Sequence, residues 1–242
     1  MKLLISEGDI KNITNLDGYS LFSHQRRKKH IIKLIIKLCN AGSSILDIGC
    51  ASGDIAIELS NLGYHVHGID LEPHRLDEGK KLAEKYRQNV NFENAKFEDL
   101  NNLGVYDLVF CGEVLEHFTD PVQVLVKIKR LLNSNAKILI TTPNMPSLRN
   151  RLKFALLGIF PDNNPEHKYY FDYKRLSSVI SAAGYEIVYF TTNFTNITLK
   201  SKMISYFESF LLFWFTLIAP KSGDTIFAVI SPVQEECSHD KI

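Results

Sequence analysis

Asp47, Gly49 and Gly53 stand in the run Ile45-Leu46-Asp47-Ile48-Gly49-Cys50-Ala51-Ser52-Gly53-Asp54, where an apolar strand runs into a glycine-bearing turn and then into a helix. In an open α/β sheet, that junction is where a nucleotide-like ligand sits. Glycine at 49 and 53 lets the backbone take positive φ and approach a ligand that a Cβ would obstruct. The turn is not a dinucleotide fingerprint, because the carboxylate of Asp47 precedes the first glycine by two positions. A carboxylate there repels a phosphate and attracts a cation, which suits a ligand carrying an ammonium, a sulfonium and a ribose. Asp70 closes the next apolar strand about 20 residues later, the spacing at which an acid meets ribose hydroxyls across adjacent parallel strands.

A second group of titratable residues, Glu113-x-x-Glu116-His117, follows the apolar run 106–111. A helical turn would bring residues 113, 116 and 117 onto one face. Two carboxylates and an imidazole suit Mg²⁺ or Mn²⁺, and a bound cation would acidify a hydroxyl of a vicinal diol or catechol. Without a metal, His117 is a candidate general base, with Glu113 beside it, because imidazole titrates near neutrality. The alternative is a helix start in which one glutamate caps backbone amides, another faces water, and His117 bonds a neighbouring backbone group.

These residues need elements to hold them. Apolar periodicity and turn residues predict helices at 53–62, 73–87, 121–132 and 172–183, alternating with strands at 44–48, 65–69, 90–92, 106–111, 136–141, 185–191 and 224–231. An amphipathic helix over 22–40 precedes the first strand, and its basic start, Arg26, Arg27, Lys28, Lys29 and His30, reads as a solvated face or as a steering patch for an anionic substrate. Pro73 and Pro121 fall near helix starts, where a missing amide donor costs nothing.

The chain of 242 residues, 45% hydrophobic, is long enough for one substantial core, so 1–242 is expected to form a single domain. A net charge of +1 argues against a nucleic-acid partner. Four cysteines without C-x-x-C spacing suggest neither disulfides nor zinc and point to a reducing cytoplasm. The opening residues do not read as a signal peptide.

Taken in order, DIGCASGD, GIDLEP, FEDL, YDLVFCGEVLEHFTDP and ILITTPN resemble the motifs of class I S-adenosylmethionine-dependent methyltransferases across roughly residues 30–190. The resemblance implies a doubly wound, mostly parallel seven-stranded α/β sheet with an antiparallel last strand. It implies S-adenosylmethionine as cofactor, with Asp47 and the backbone of Gly49, Cys50 and Gly53 at the methionine end and Asp70 at the ribose. Leu71 would lie against the adenine, Phe97 and Glu98 would rim it, and Cys111 and Gly112 would line the sulfonium side. Ala51 replaces the usual middle glycine, at little expected cost. Lys96 falls where many relatives carry an aspartate for the adenine amino group.

The E-x-x-E-H run is similar to that of metal-dependent small-RNA 2′-O-methyltransferases and of ubiquinone-biosynthesis O-methyltransferases. The RNA enzymes carry a further histidine after the fifth strand, and here that position falls to His167, giving a candidate metal set of Glu113, Glu116, His117 and His167, with His167 also a candidate base. By this resemblance the expected function is O-methylation of a small-molecule, sugar, glycolipid or quinone-like acceptor. The alternatives are a metal-dependent RNA 2′-O-methyltransferase and a non-catalytic cofactor-binding scaffold.

Two variable segments bear on the acceptor. Residues 145–166 mix Arg149, Arg151 and Lys153 with Leu152, Phe154, Leu156 and Leu157, as a lid would. An insert at 200–221 holds the apolar stretch 203–219, too short for the roughly 20 residues that span a bilayer. It suits peripheral contact with the inner face of a membrane and a lipid-linked acceptor, or burial on the sheet, over the pocket or in a homodimer.

Overall fold

The computed structural model describes residues 1, 3–15, 18–101, 103–158, 164–193 and 221–233. The apolar stretch 203–219, and residues 159–163 of the expected lid, lie outside them. Among the described residues, one sheet holds β1 (Ser44–Ile48), β2 (His65–Asp70), β3 (Val90–Asn94), β4 (Tyr106–Gly112), β5 (Leu132–Pro143), β6 (Tyr185–Asn193) and β7 (Thr225–Pro232). Its order is β3-β2-β1-β4-β5-β7-β6, and β7 runs antiparallel to both neighbours, as the resemblance implied.

The central strands are apolar on consecutive residues because both faces of the sheet are covered. Ile45, Leu108 and Phe110 point to one side, against Ile31, Ile32 and Ile35 of α2 (Gly18–Leu38) and Ala56 and Leu59 of α3 (Asp54–Asn61). Leu46, Ile48, Val109 and Cys111 point to the other, against Leu125 and Ile128 of α5 (Pro121–Lys129) and Leu176 and Ile180 of α7 (Tyr173–Ala182). β1 is parallel to β2 on one side and to β4 on the other, and the chain winds away in opposite senses from this point. A crevice therefore opens at the carboxyl ends of β1 and β4.

Four expectations need correction. The sequence reading has no helix before residue 22, yet α1 spans Glu7–Thr14 and α2 begins at Gly18. The signal for α1 is present as Ser6-x-x-Asp9: the Ser6 hydroxyl oxygen accepts from the Asp9 amide at 3.1 Å, and the hydroxyl donates to the Asp9 carboxylate at 2.7 Å. α5 stops at Lys129, and β5 begins at Leu132 rather than 136. The polar Asn133-Ser134-Asn135 reads as a loop, but Leu132 already pairs with Tyr106 and the register shifts before Leu108 pairs with Lys137, so these residues form a bulge.

The third correction concerns residues 113–117, which do not form the expected helical turn. Glu113 takes a left-handed φ of 52° and leads into a short 3₁₀ turn, Leu115–His117. Last, the basic run Arg26 to His30 falls in the middle of α2 and is not a solvated face throughout, since Lys28 is only 1% exposed. Within the expected lid, α6 (Leu148–Leu157) forms between Ser147 and Gly158 and leaves Phe154, Leu156 and Leu157 exposed. No described helix is long and apolar enough to cross a membrane.

The turn after β1 takes positive φ three times, at Gly49 (73°), Ala51 (51°) and Gly53 (63°). Alanine carries a penalty there, so Ala51 is less neutral than the sequence suggests. A Cβ on Gly53 would in addition run into the Phe92 ring. Gly53→Ala is expected to destabilise the protein by about 2 kcal/mol or more, and Ala51→Gly to stabilise it by about 1 kcal/mol. Urea unfolding of the two variants measures both.

Candidate active site

The crevice contains a cavity of about 720 Å³. Its floor is the β1 turn. The amides of Gly49 and Cys50 both donate to the carbonyl of Ile69, at 2.8 and 3.0 Å, which locks the turn to the end of β2. Asp70, the last residue of β2, accepts the Ala51 amide on one carboxylate oxygen at 2.7 Å and the Glu72 amide on the other at 2.9 Å. Its carboxylate is thus held between two loops at the cavity edge. Leu71 beside it lines the cavity and is 63% exposed. Phe97, Glu98 and Lys96 complete that end. The Lys127 ammonium fixes the Phe97 and Glu98 carbonyls at 2.9 and 2.7 Å, and Lys96 lies 3.7 Å from the Glu98 carboxylate.

The expected cofactor residues divide into two sets. Gly49, Asp70, Leu71, Phe97, Glu98 and Gly112 line the cavity, whereas Asp47, Cys50, Gly53 and Cys111 stand behind its wall. The Cys111 side chain is fully buried on the α5 side of the sheet, and Cys50 packs toward Gly68. Any contact of those two with a ligand would run through the backbone. Asp47 is buried, and burial, with Asp54 and Asp70 adding like charge, pushes its carboxyl from 3.8 up to about 8.

At the other end, Glu116, His117 and His167 bring one ligand atom each to within 4.8 Å of one another. Three segments meet there. Glu116 is buried, its carboxylate accepts the Thr142 hydroxyl from β5 at 3.0 Å, and its carbonyl accepts the amides of Lys168 and Tyr169 at 2.9 and 3.1 Å. The other carboxylate oxygen, Oε1, is buried with no hydrogen-bond partner among the described residues. Burial first, and Glu113 second, push Glu116 well above the usual carboxylate range. The His117 and His167 rings meet edge to face at 4.8 Å. Burial and the neighbouring His167 lower the pKa of His117, so its ring is neutral and able to accept a proton.

Glu113 does not join this group. Its left-handed backbone turns the side chain toward α2, where Arg27 lies 3.1 Å from Oε2. One whole wall of the cavity is not legible in the sequence. Ile13, Thr14 and Asn15 from α1 and its cap, and His24 and Arg27 from α2, line it, as do Asn164, Glu166 and Lys168 near His167. The Ser6-x-x-Asp9 signal could have located α1, but nothing in the spacing ties it to the turn at residues 49–53.

A strand-turn-helix floor, an acid on the neighbouring strand and a titratable cluster beyond β4 make up the cleft. Residues 39–184 match the family model described as a methyltransferase domain, and the chain belongs to that family. It is similar to the ubiquinone biosynthesis O-methyltransferase of Colwellia psychrerythraea, at 32% identity over 130 residues, covering 51% of this chain and 52% of that protein. The Aeromonas salmonicida protein of the same description is 32% identical over 155 residues, 59% of this chain and 63% of that one. The chain thus spans between about half and two thirds of the length of these relatives.

Solved structures share the fold. Magnesium protoporphyrin IX methyltransferase from Synechocystis with bound SAH superposes with a TM-score of 0.64 at 16% identity, covering 93% of each chain. The CcbJ methyltransferase from Streptomyces caelestis superposes at 0.63 with 15% identity, covering 86% of this chain and 90% of that one.

The state of Asp47 gives a pH test. The unfolded chain releases this proton near 3.8, while the folded protein holds it to about 8. The stability it contributes is complete below the lower value and lost as pH rises toward the upper one, at a slope approaching about 1.4 kcal/mol per pH unit. The unfolding free energy of the ligand-free wild type should therefore fall relative to Asp47→Asn across that window. Parallel urea titrations at several pH values measure the difference.

Proposed function

We propose that this protein is an S-adenosylmethionine-dependent O-methyltransferase acting on adjacent hydroxyls of a small-molecule or lipid-linked acceptor. The reading rests on one observation above the others: the buried, unpartnered Oε1 of Glu116 lies in the same cluster as His117 and His167, at the end of a cleft with a carboxylate-rich floor. In it, Asp70 takes the ribose hydroxyls, Leu71, Phe97 and Glu98 take the adenine, and the backbone at Gly49, Cys50, Gly53, Cys111 and Gly112 takes the methionine end. Asp47 stands behind that backbone with its carboxyl protonated at neutral pH. S-adenosylmethionine supplies an electrophilic methyl on a sulfonium, so the chain's own task is alignment, exclusion of water and removal of one acceptor proton.

Without a metal, His117 accepts that proton, since its pKa is lowered and it lines the cavity. His167 is the second candidate base. Glu116, His117 and His167 also fit a divalent cation: the donor set is one carboxylate and two imidazoles, and a cation would give the orphaned Glu116 oxygen a partner. Mg²⁺ or Mn²⁺ held there would lower the pKa of an acceptor hydroxyl, and the two imidazoles favour Mn²⁺ over Mg²⁺, which prefers oxygen ligands. Glu113, paired with Arg27, lies outside that set as it stands.

The relatives' description as ubiquinone biosynthesis O-methyltransferases supports oxygen as the methylated atom and a quinone-like ring among the acceptors to test. The aromatic run at 203–219 supports, from its sequence, peripheral contact with a membrane that would present a lipid-linked acceptor or contact with a second copy. The free thiols Cys39, Cys50 and Cys111 fit a cytoplasmic setting.

Two results test this. Mn²⁺ titrated calorimetrically into protein saturated with S-adenosylhomocysteine should bind, and Glu116→Ala should abolish the heat; no heat in the wild type, with the homocysteine bound, would remove the metal. In turnover with S-adenosylmethionine and a panel of catechols and diols, His117→Gln should lower kcat by about 10²–10⁴-fold with little change in the KM for S-adenosylmethionine. An unchanged kcat would end its role as base.

A further inference from the structure

Lys28 has the most unusual environment of any charged residue outside the cluster described above. Its side chain has no exposed surface, and lysine is almost never found in that state unless paired. Its ammonium lies 3.2 Å from Asp54 and 3.4 Å from Glu58. Asp54 is the first residue of α3, immediately after Gly53, and lines the cavity. His24, one turn before Lys28 on α2, reaches the same Asp54 oxygen at 2.9 Å. Glu58, one turn further along α3, accepts the backbone amides of Leu4 and Ile5 at 2.8 and 3.0 Å.

These contacts join the two walls of the cleft. One wall is the turn of residues 49–53 and the start of α3. The other is the N-terminal layer, α1 and the first half of α2, which contributes Ile13, Thr14, Asn15, His24 and Arg27 to the cavity. Lys28 is the only cation among the described residues that pairs with both carboxylates of α3. Without it, buried Glu58 would lose the cation that pairs with it and Asp54 would keep only His24 among the described residues, and the partner left behind in a broken buried pair is strongly unfavourable. The structure can relieve that cost in one direction, by letting the N-terminal layer lift and water reach Asp54 and Glu58.

We infer that Lys28 is a positioning residue for cofactor retention: by bridging Asp54 and Glu58 it latches α1 and α2 onto the cofactor turn, so that one wall of the cleft stays closed over a bound nucleoside. The inference rests on the cleft being the S-adenosylmethionine site. It gives the basic run in the middle of α2 a role that neither a solvated face nor a steering patch would have. Lys28 touches no reacting atom and acts only through the two acids.

The test uses the full chain and S-adenosylhomocysteine as the probe. Dissociation of the homocysteine is followed by stopped flow, and amide exchange at Leu4 and Ile5 is followed in the same variants. Lys28→Met keeps the stem and removes the charge. It should raise the dissociation rate by about tenfold or more and speed exchange at Leu4 and Ile5, while amides of β1 and β4 keep their protection. Lys28→Arg should retain most of the wild-type behaviour.

An unchanged dissociation rate would overturn the inference. So would loss of protection in β1 and β4 together with Leu4 and Ile5, since that is general unfolding rather than an opened latch. Should Lys28→Met not fold, Glu58→Gln weakens the same latch from the other side and should shift both readouts in the same direction; no shift overturns it. A wild type that binds no S-adenosylhomocysteine would remove the cofactor reading itself and this inference with it. In that event fast Leu4 and Ile5 exchange in Lys28→Met would show the latch to be structural alone.

Discussion

The carboxylate of Asp70 accepts one backbone amide from the turn after β1 and one from the loop after β2, and the cleft depends on that pair of hydrogen bonds. It holds the Ala51 amide while Ala51 sits in a left-handed conformation unfavourable for alanine, and it keeps the two loops at a fixed separation. It also sets the charge. Asp47, Asp54 and Asp70 converge on one turn strongly enough for Asp54 and Asp70 to help hold the proton on Asp47. A phosphate would meet the carboxylates of Asp54 and Asp70 at the cavity wall, whereas a positively charged nucleoside would be attracted to them. The helix N-terminus of α3, elsewhere a phosphate site, is occupied by Asp54 and its partners His24 and Lys28.

The opposite end of the cleft follows a different rule. Glu116 ties β5, the 3₁₀ turn after β4 and the segment 167–169 together, through its carboxylate to Thr142 and through its carbonyl to Lys168 and Tyr169. Burying a carboxyl with one oxygen unpaired is costly, and a fold that needed only structure could use an apolar residue there. The cost is understandable if the site works with a charge that arrives with its ligands.

Much of this was legible in the sequence. The buried strands β1 and β4, the turn at residues 49–53 and Asp70 follow from apolar runs and glycine spacing, because central parallel strands and a strand-to-helix turn have few sequence solutions. The proximity of His167 to His117 came only through family resemblance, since fifty residues separate them. Three features were hidden for physical reasons. Lys28 reads as solvated because its partners, Asp54 and Glu58, lie on another helix and no local spacing connects them. Glu113 belongs by pattern with Glu116 and His117, but a left-handed residue at the strand end breaks the helical spacing on which that pattern relies. The bulge at Asn133 to Asn135 hides the start of β5 because polar residues in an irregular strand look like a loop.

In the proposed function, the carboxylate-rich turn selects a cationic, phosphate-free nucleoside. The most direct test is a side-by-side calorimetric titration of S-adenosylmethionine and ATP, at one ionic strength, into the wild type and Asp70→Ala. The account predicts that S-adenosylmethionine binds the wild type, that Asp70→Ala weakens it by about tenfold or more, and that ATP gives no binding to either. Comparable binding of ATP and S-adenosylmethionine, or affinity for S-adenosylmethionine untouched by the loss of Asp70, would contradict it.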